Sequence, residues 1–376
     1  MKEFKNRIQA AAFPAVLCFF AVVTLFSHKE SFSELENRTL QKKPELSFDS
    51  WFDGSFMDEA EAYVSDHFAG RNKWMKLKLR TELALGRREI NGIYISDGRL
   101  IERTPEPDYE TIDKSTDAIS KLAASVSTPV YVMLAPTSAG IYTDSIPENA
   151  PQLDQHAIID YVYGNLDPRV ITINVYDILN ASREDYIYYR TDHHWTSLGA
   201  YYAYSTAISK LGFSAVPFSR YDIEHAGSGF RGTYYSKTLC DDIQPDTIDI
   251  YSSKEGEKVV SCTVSNAIEE KTYDSIYFRE FLDVKDKYSV YLGTNQPCIK
   301  IKTNLQSDKK ILIFKDSYAN SFVPFLTQHY NEITVLDMRY INNFRDYADP
   351  EDYTHILFLY NSTTFSSDDN IKKIAY

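Results

Sequence analysis

The chain has 376 residues, enough for one large or two modest domains with a sizeable core. With 43% hydrophobic and 25% charged residues it has the composition of a globular protein, and 14 glycines and 14 prolines are too few for a collagen-like or disordered polymer. The 53 acidic residues outnumber the 40 basic ones, the net charge of −13 repels phosphate backbones, and no basic stripe offsets it, so nucleic acid is not an expected partner.

Ile8 to Ser27 runs without a charge, behind Lys2, Lys5 and Arg7. That length matches the hydrocarbon core of a bilayer, and the preceding positive charge predicts a cytoplasmic N-terminus with the body outside. Residues 1–27 are therefore expected to form a cytoplasmic tip and a single-pass transmembrane anchor in the cell membrane. A cleaved signal peptide is the alternative, with Pro14 interrupting the run, but Ser27-His28-Lys29-Glu30 offers no small-residue cleavage site. Cys18 within the run reads as a small membrane residue. Cys240, Cys262 and Cys298 are odd in number and loosely spaced, against a disulfide scaffold or a zinc site, although Cys240 with Cys262 remains a possible pair.

Residues 28–90 read as a helical connector. Trp51, Phe52, Phe56, Met57, Ala60, Tyr63 and Val64 fall near helical spacing, which predicts a helix face packed on the main body. From about residue 91, strand-like runs at Val130–Leu134, Val170–Val175, Ile311–Phe314, Ile333–Leu336 and Ile356–Tyr360 alternate with helix-length stretches. The helices are expected at Thr111–Ser125, Gln155–Leu166, Thr196–Leu211 and Tyr318–His329. This is the pattern of βαβ units and a largely parallel α/β sheet, in which ligands sit beyond the carboxyl ends of the strands. Residues of about 214–303 break the rhythm with short strand-like pieces at Ile248–Tyr251, Val259–Val264 and Tyr288–Leu292, and read as a β-rich insertion in a 91–376 domain.

Three strand ends carry candidate chemistry. Tyr188-Tyr189-Arg190-Thr191-Asp192-His193-His194-Trp195-Thr196 precedes a helix, and in an extended segment Asp192 and His194 share a face, setting a carboxylate beside an imidazole. A helix cap, aromatic packing or a metal ligand pair would use the same residues, but no third metal ligand is evident. Phe314-Lys315-Asp316-Ser317-Tyr318 sits where a buried strand breaks into a helix, a turn that places a serine hydroxyl among free backbone N–H groups; Asp-Ser is also an ordinary cap. Asn361, after the strand Ile356–Tyr360, is a candidate oxyanion donor or a turn residue. Arg339 follows another strand, where it would meet an anionic or polyol substrate or simply solvent. Together these supply a base with its orienting group, a nucleophile and an oxyanion donor.

Thr191-Asp192-His193-His194-Trp195 with Lys315-Asp316-Ser317-Tyr318 closely resembles the DHHW family, relatives of the alginate O-acetylation proteins that carry a permuted SGNH hydrolase-like domain. Phe32-Ser33-Glu34-Leu35-Glu36-Asn37-Arg38, Asp66-His67-Phe68 with Arg71, and Asn91-Gly92-Ile93-Tyr94 agree with it, so the resemblance runs from about Phe32 to Asn361. It implies an SGNH-like, flavodoxin-like fold with Ser317 as nucleophile, His194 as the triad histidine and Asp192 as its partner, in an order that reverses the usual one. Lys315 stands where many members of the wider superfamily carry Gly, and Asn361 lies in no Gly-x-Asn-Asp string. Trp195, Tyr318 and Arg339 are expected as substrate-binding neighbours. The activity so implied is an extracytoplasmic O-acetyltransferase acting on an exported polysaccharide, fed by a membrane-bound O-acyltransferase partner and needing no metal or organic cofactor. The alternatives are a carbohydrate acetylesterase built on the same triad and a non-catalytic glycan-binding adaptor.

Overall fold

The computed structural model describes residues 2–256, 258–266 and 269–375, with side chains from residue 11 onward. The chain divides into two compact units. The first comprises residues up to 91 together with 235–241, and the second 92–234 with 242–376.

The first unit contains helices α1 (Lys2–Phe26), α2 (Phe48–Phe52), α3 (Ser55–Asp66) and α4 (Arg71–Ala84). Among the described residues no helix is long and apolar enough to cross a membrane. The expected anchor is thus not supported by the described residues, although the side chains of its first three, 8–10, lie outside them. Phe20 of α1 stacks on Phe68, ring centroids 5.4 Å apart, and meets Trp74 edge-on. The sequence blocks at 32–38 and 66–71 meet here: Arg38 pairs with Asp66 and Arg71 with Glu36, while His67 bridges the carbonyls of Tyr63 and Glu30. The stripe on α2 and α3 does not pack as expected. Trp51, Phe52 and Met57 are more than half exposed, and neither α2 nor α3 has a buried residue.

The second unit begins with a hairpin, β1 (Ile93–Ser96) and β2 (Arg99–Glu102), and leads through α5 (Tyr109–Ser125) to β3 (Val130–Ala135), α6 (Gln155–Asn165) and β4 (Ile171–Asn174). Helix α7 (Ser197–Lys210) precedes β5 (Tyr221–Phe230), β6 (Asp246–Ser253), β7 (Val259–Ser265), β8 (Glu270–Tyr273) and β9 (Cys298–Thr303). Then come β10 (Lys310–Lys315), α8 (Ala319–Leu326), β11 (Glu332–Leu336) and β12 (His355–Asn361). Asp108 and Asp154 cap α5 and α6 by accepting backbone N–H groups of the first turn.

One eight-stranded sheet runs in the order β8-β7-β9-β11-β10-β12-β3-β4. The five strands from β11 to β4 are parallel; the apolar runs of β11, β10, β12 and β3 suit strands covered on both faces, while β4 at the sheet edge is largely exposed. In β10, Ile311 and Ile313 enter one core while Leu312 and Phe314 enter the other; β12 and β3 divide their side chains in the same alternation. The sheet as a whole is mixed rather than parallel. The insertion contributes β7, β8 and β9 as an antiparallel extension covering the edge of β11, and only β5 and β6 form a separate two-stranded ribbon. Tyr288–Leu292, expected as a strand, contains a 3₁₀ turn at Lys287–Val290. Cys240, Cys262 and Cys298 are buried free thiols.

Candidate active site

Strand β10 ends at Lys315, and the chain turns at once into α8. Asp316 shapes that turn: its carboxylate accepts the Tyr318 N–H at 2.8 Å, the Asn361 N–H at 2.7 Å and the Asn361 side-chain amide at 2.6 Å. These bonds tie the end of β10 to the end of β12. Every residue from Ile311 to Thr327 is buried except Ser317, whose hydroxyl the turn lifts out of the sheet edge. Among the described residues the Ser317 N–H has no partner, so a free donor lies beside that hydroxyl.

The segment bearing Asp192 and His194 is a tight hairpin rather than the extended strand expected from sequence. Tyr188 bridges Trp195, the Thr196 N–H reaches the Ile187 carbonyl, and Thr196, not Asp192, caps α7. At the tip, Asp192 Oδ1 accepts both the His194 backbone N–H at 3.0 Å and His194 Nδ1 at 2.6 Å, an Asx turn that fixes the ring as it forms. Asp192 Oδ2 accepts the Thr233 N–H. A second buried carboxylate, Asp246 on β6, holds the hairpin from behind through the N–H groups of Arg190 and Thr191, with Tyr186 and the Thr191 hydroxyl donating to it as well.

His194 Nε2 lies 2.8 Å from Ser317 Oγ, closing an unbroken chain from carboxylate to imidazole to hydroxyl. The imidazole is clamped on both faces, by the His193 ring at 3.7 Å and by the Tyr288 ring at 3.6 Å, nearly parallel. Tyr288 comes from the insertion, and its hydroxyl donates to the Ser317 carbonyl at 3.0 Å. Burial, with positive charge on His193, holds the His194 imidazole down at about 4 against the pull of Asp192. It is therefore neutral at physiological pH, with Nδ1–H directed to Asp192 and the Nε2 lone pair facing the serine proton. Such a chain is able to draw a proton off Ser317 and return it to a leaving group.

This charge balance gives an expected outcome. His193→Asn removes a neighbouring cation that opposes the imidazolium, so the His194 titration followed by ring-resonance NMR should move upward from about 4 toward the ordinary 6.5. A midpoint that stays put or falls would show that His193 exerts no such field.

The remaining candidates separate. Trp195 is fully buried, its indole N–H shared between the Tyr318 carbonyl and Ser321 Oγ, so it packs the core instead of meeting substrate. Arg339 is committed to Asp337 through two bonds. The Asn361 amide N–H₂ is spent on Asp316 and Thr364, which leaves it a brace for the turn and removes it as an oxyanion donor. Tyr318 donates to the His193 carbonyl but also lines a cavity of about 80 Å³ with Glu102, Thr137, His193, Tyr234 and Asn361. Larger hollows in the first unit, at 27–73 and 75–91, hold none of these groups; the hydrogen-bond chain, not cavity size, locates the site. Asp192, His193 and His194 offer ligand atoms within 4.8 Å of one another, as a metal would need. Asp192 Oδ1 and His194 Nδ1 are already bound to each other, however, so the set fits a proton chain better than a cation. Tyr288 and Asp246 carry no signal in the sequence, since nothing local marks a tyrosine or an aspartate as folding back onto a hairpin far earlier in the chain.

The DHHW protein family matches residues 111–336, a span holding the Asp192–His194–Ser317 chain whole. The chain belongs to the DHHW family. Among solved structures it is similar to a DHHW family protein from Eubacterium siraeum, with 27% identity over 76% of this chain and 95% of that one and a TM-score of 0.66. It also shares its fold with Bacillus cereus PatB1, at 23% identity over 74% and 98% with a TM-score of 0.63. The O-acetyltransferase domain of Pseudomonas putida AlgJ is more distant, at 12% identity over 74% and 93% and a TM-score of 0.46. No curated protein matches the chain. In this DHHW-family chain the two blocks that carry the resemblance are the two ends of one hydrogen-bond chain.

Proposed function

We propose that the protein is an O-acetyltransferase that moves acetyl groups onto the hydroxyls of an exported polysaccharide through an acetyl-serine intermediate. The observation that carries this reading is the Ser317 Oγ, on a partly exposed residue, held 2.8 Å from a buried, neutral imidazole that is itself oriented by Asp192. His194 takes the Ser317 proton as Oγ attacks the acetyl carbonyl, then gives it to the departing alcohol. A sugar hydroxyl enters, loses its proton to the same imidazole and takes the acetyl group, restoring Ser317. The acceptor is expected to be a neutral or modified glycan rather than a polyanion, since the chain is strongly acidic. The membrane anchor and the location outside the cytoplasm are parts of the same proposal, supported by the basic and apolar sequence of residues 2–27, and a membrane-bound acyltransferase donor is the partner that the family resemblance implies.

The test uses the full chain with a chromogenic acetyl ester, with and without an oligosaccharide acceptor, beside Ser317→Ala, following protein and sugar masses. A Ser317-dependent acetyl-enzyme and acetylated sugar are expected. Turnover to acetate alone, unchanged by any acceptor, would make it an esterase, and the absence of any Ser317-dependent chemistry would leave a binding protein.

A further inference from the structure

Lysine is among the costliest residues to bury, yet Lys315, two residues before Ser317, has only 2% of its side chain exposed. Its ammonium donates to Asn320 Oδ1 at 2.9 Å and to Asn295 Oδ1 at 3.2 Å, and lies 3.7 Å from Asp337 Oδ2. Burial pulls its pKa down while the Asp337 carboxylate pulls it up. Asp337 in turn is gripped by Arg339, so that carboxylate is shared between two cations and does not quench Lys315 alone.

An ammonium accepts nothing, so the Asn320 amide must turn its oxygen to Lys315 and its N–H₂ the other way. Asn320 is 4% exposed, and among the described residues its Nδ2 has no partner. Nδ2 is not among the unpartnered polar atoms sealed from solvent, so this oriented, unspent donor is the part of a buried residue left open to an incoming group. Its position says which. The Asn320 N–H bonds to the Ser317 carbonyl, so one tight turn at the start of α8 carries both residues and keeps them neighbours. The Ser317 N–H is equally free.

We propose that Asn320 Nδ2 and the Ser317 N–H together form the oxyanion hole, with Lys315 as the positioning residue that fixes and polarises the Asn320 amide. The inference rests on Ser317 being the nucleophile. As Oγ bonds to the acetyl carbon and its proton passes to His194, the carbonyl π pair moves to oxygen and is held by these two donors. On collapse the pair returns and the alcohol leaves with the proton from His194. Hydrogen bonding to a cation on the amide oxygen strengthens the opposite N–H as a donor, so part of the Lys315 charge reaches the anion without the ammonium touching it.

Asn320→Asp and Asn320→Ala are compared with wild type on the chromogenic acetyl ester, with thermal unfolding of each. Asn320→Asp keeps the shape and gains a charge partner for Lys315, so the fold should hold, while an acceptor now faces the developing anion. Both variants should lose kcat by about 100- to 1,000-fold with KM changed far less, and Ser317 labelling by a sulfonyl fluoride should slow in parallel. Lys315→Met should lower kcat on the order of tenfold or more, with the Asn320 variants standing as the test if it does not fold. A purely structural role predicts an active Asn320→Asp and an unstable Asn320→Ala. Either Asn320 variant folded and within about threefold of wild-type kcat overturns the oxyanion assignment. Failure of wild type itself to show Ser317-dependent turnover overturns the nucleophile, a separate result.

Discussion

Asp192→Asn is expected to fold normally and to lose about 10⁴-fold in kcat on an acetyl ester. Asp192 Oδ1 receives two donors, the His194 backbone N–H and ring Nδ1, while Oδ2 receives the Thr233 N–H. An asparagine has one oxygen for these three. If its N–H₂ faces the ring, Nδ1 must become the acceptor and the proton moves to Nε2, where it points at Ser317 Oγ. The base is then present, correctly placed and unable to accept. Steady-state kinetics beside a melting curve decides the matter, and a folded variant within about tenfold of wild type would mean that Asp192 orients nothing that the reaction needs.

Gly232→Ala is the second large effect, and it reaches the same carboxylate from outside the motif. A Cβ there would lie 2.5 Å from Asp192 Cγ and nearer still to its Oδ2, closer than atoms approach. Asp192 cannot retreat, because the hairpin behind it is held by Asp246 and its other oxygen is bound to His194. The clash must therefore displace the carboxylate or the 191–194 tip. Stability should fall by about 1–3 kcal/mol, and kcat by on the order of 100-fold, since a shift of an ångström in the base is enough for that. A variant with wild-type melting and turnover would show that the loop carrying Gly232 yields freely.

Much of this arrangement is legible in the amino-acid sequence. The apolar runs at 130, 311, 333 and 356 are strands because residues buried on both faces leave a signal that does not depend on partners. Asp192 and His194 can be singled out because they stand just before a helix, and Ser317 because it stands where a strand breaks into one. What depends on distant partners is not readable. That β7 to β9 extend the main sheet is a matter of pairings between segments far apart in the chain. Trp195 follows His194 in sequence but occupies the other side of a hairpin, which puts one in the core and its neighbour against the serine. Arg339 and Asn361 lie at the right strand ends, yet their hydrogen bonds are taken by Asp337 and Asp316. Asn320 gives no local sign of its role, because nothing in a sequence says that a lysine five residues earlier will be buried against it.

Among the described strands β12 comes last along the chain and yet stands in the interior of the sheet, between β10 and β3. Until residues 355–361 arrive, the nascent chain carries two part-sheets, each with a bare apolar edge that invites pairing with other chains. The same strand brings the Asn361 N–H to Asp316, so the Ser317 turn takes its shape only when the sheet closes. The order along the chain thus makes β12 a keystone: the Ser317 turn takes its final shape in the same step that removes the sticky edges of the sheet.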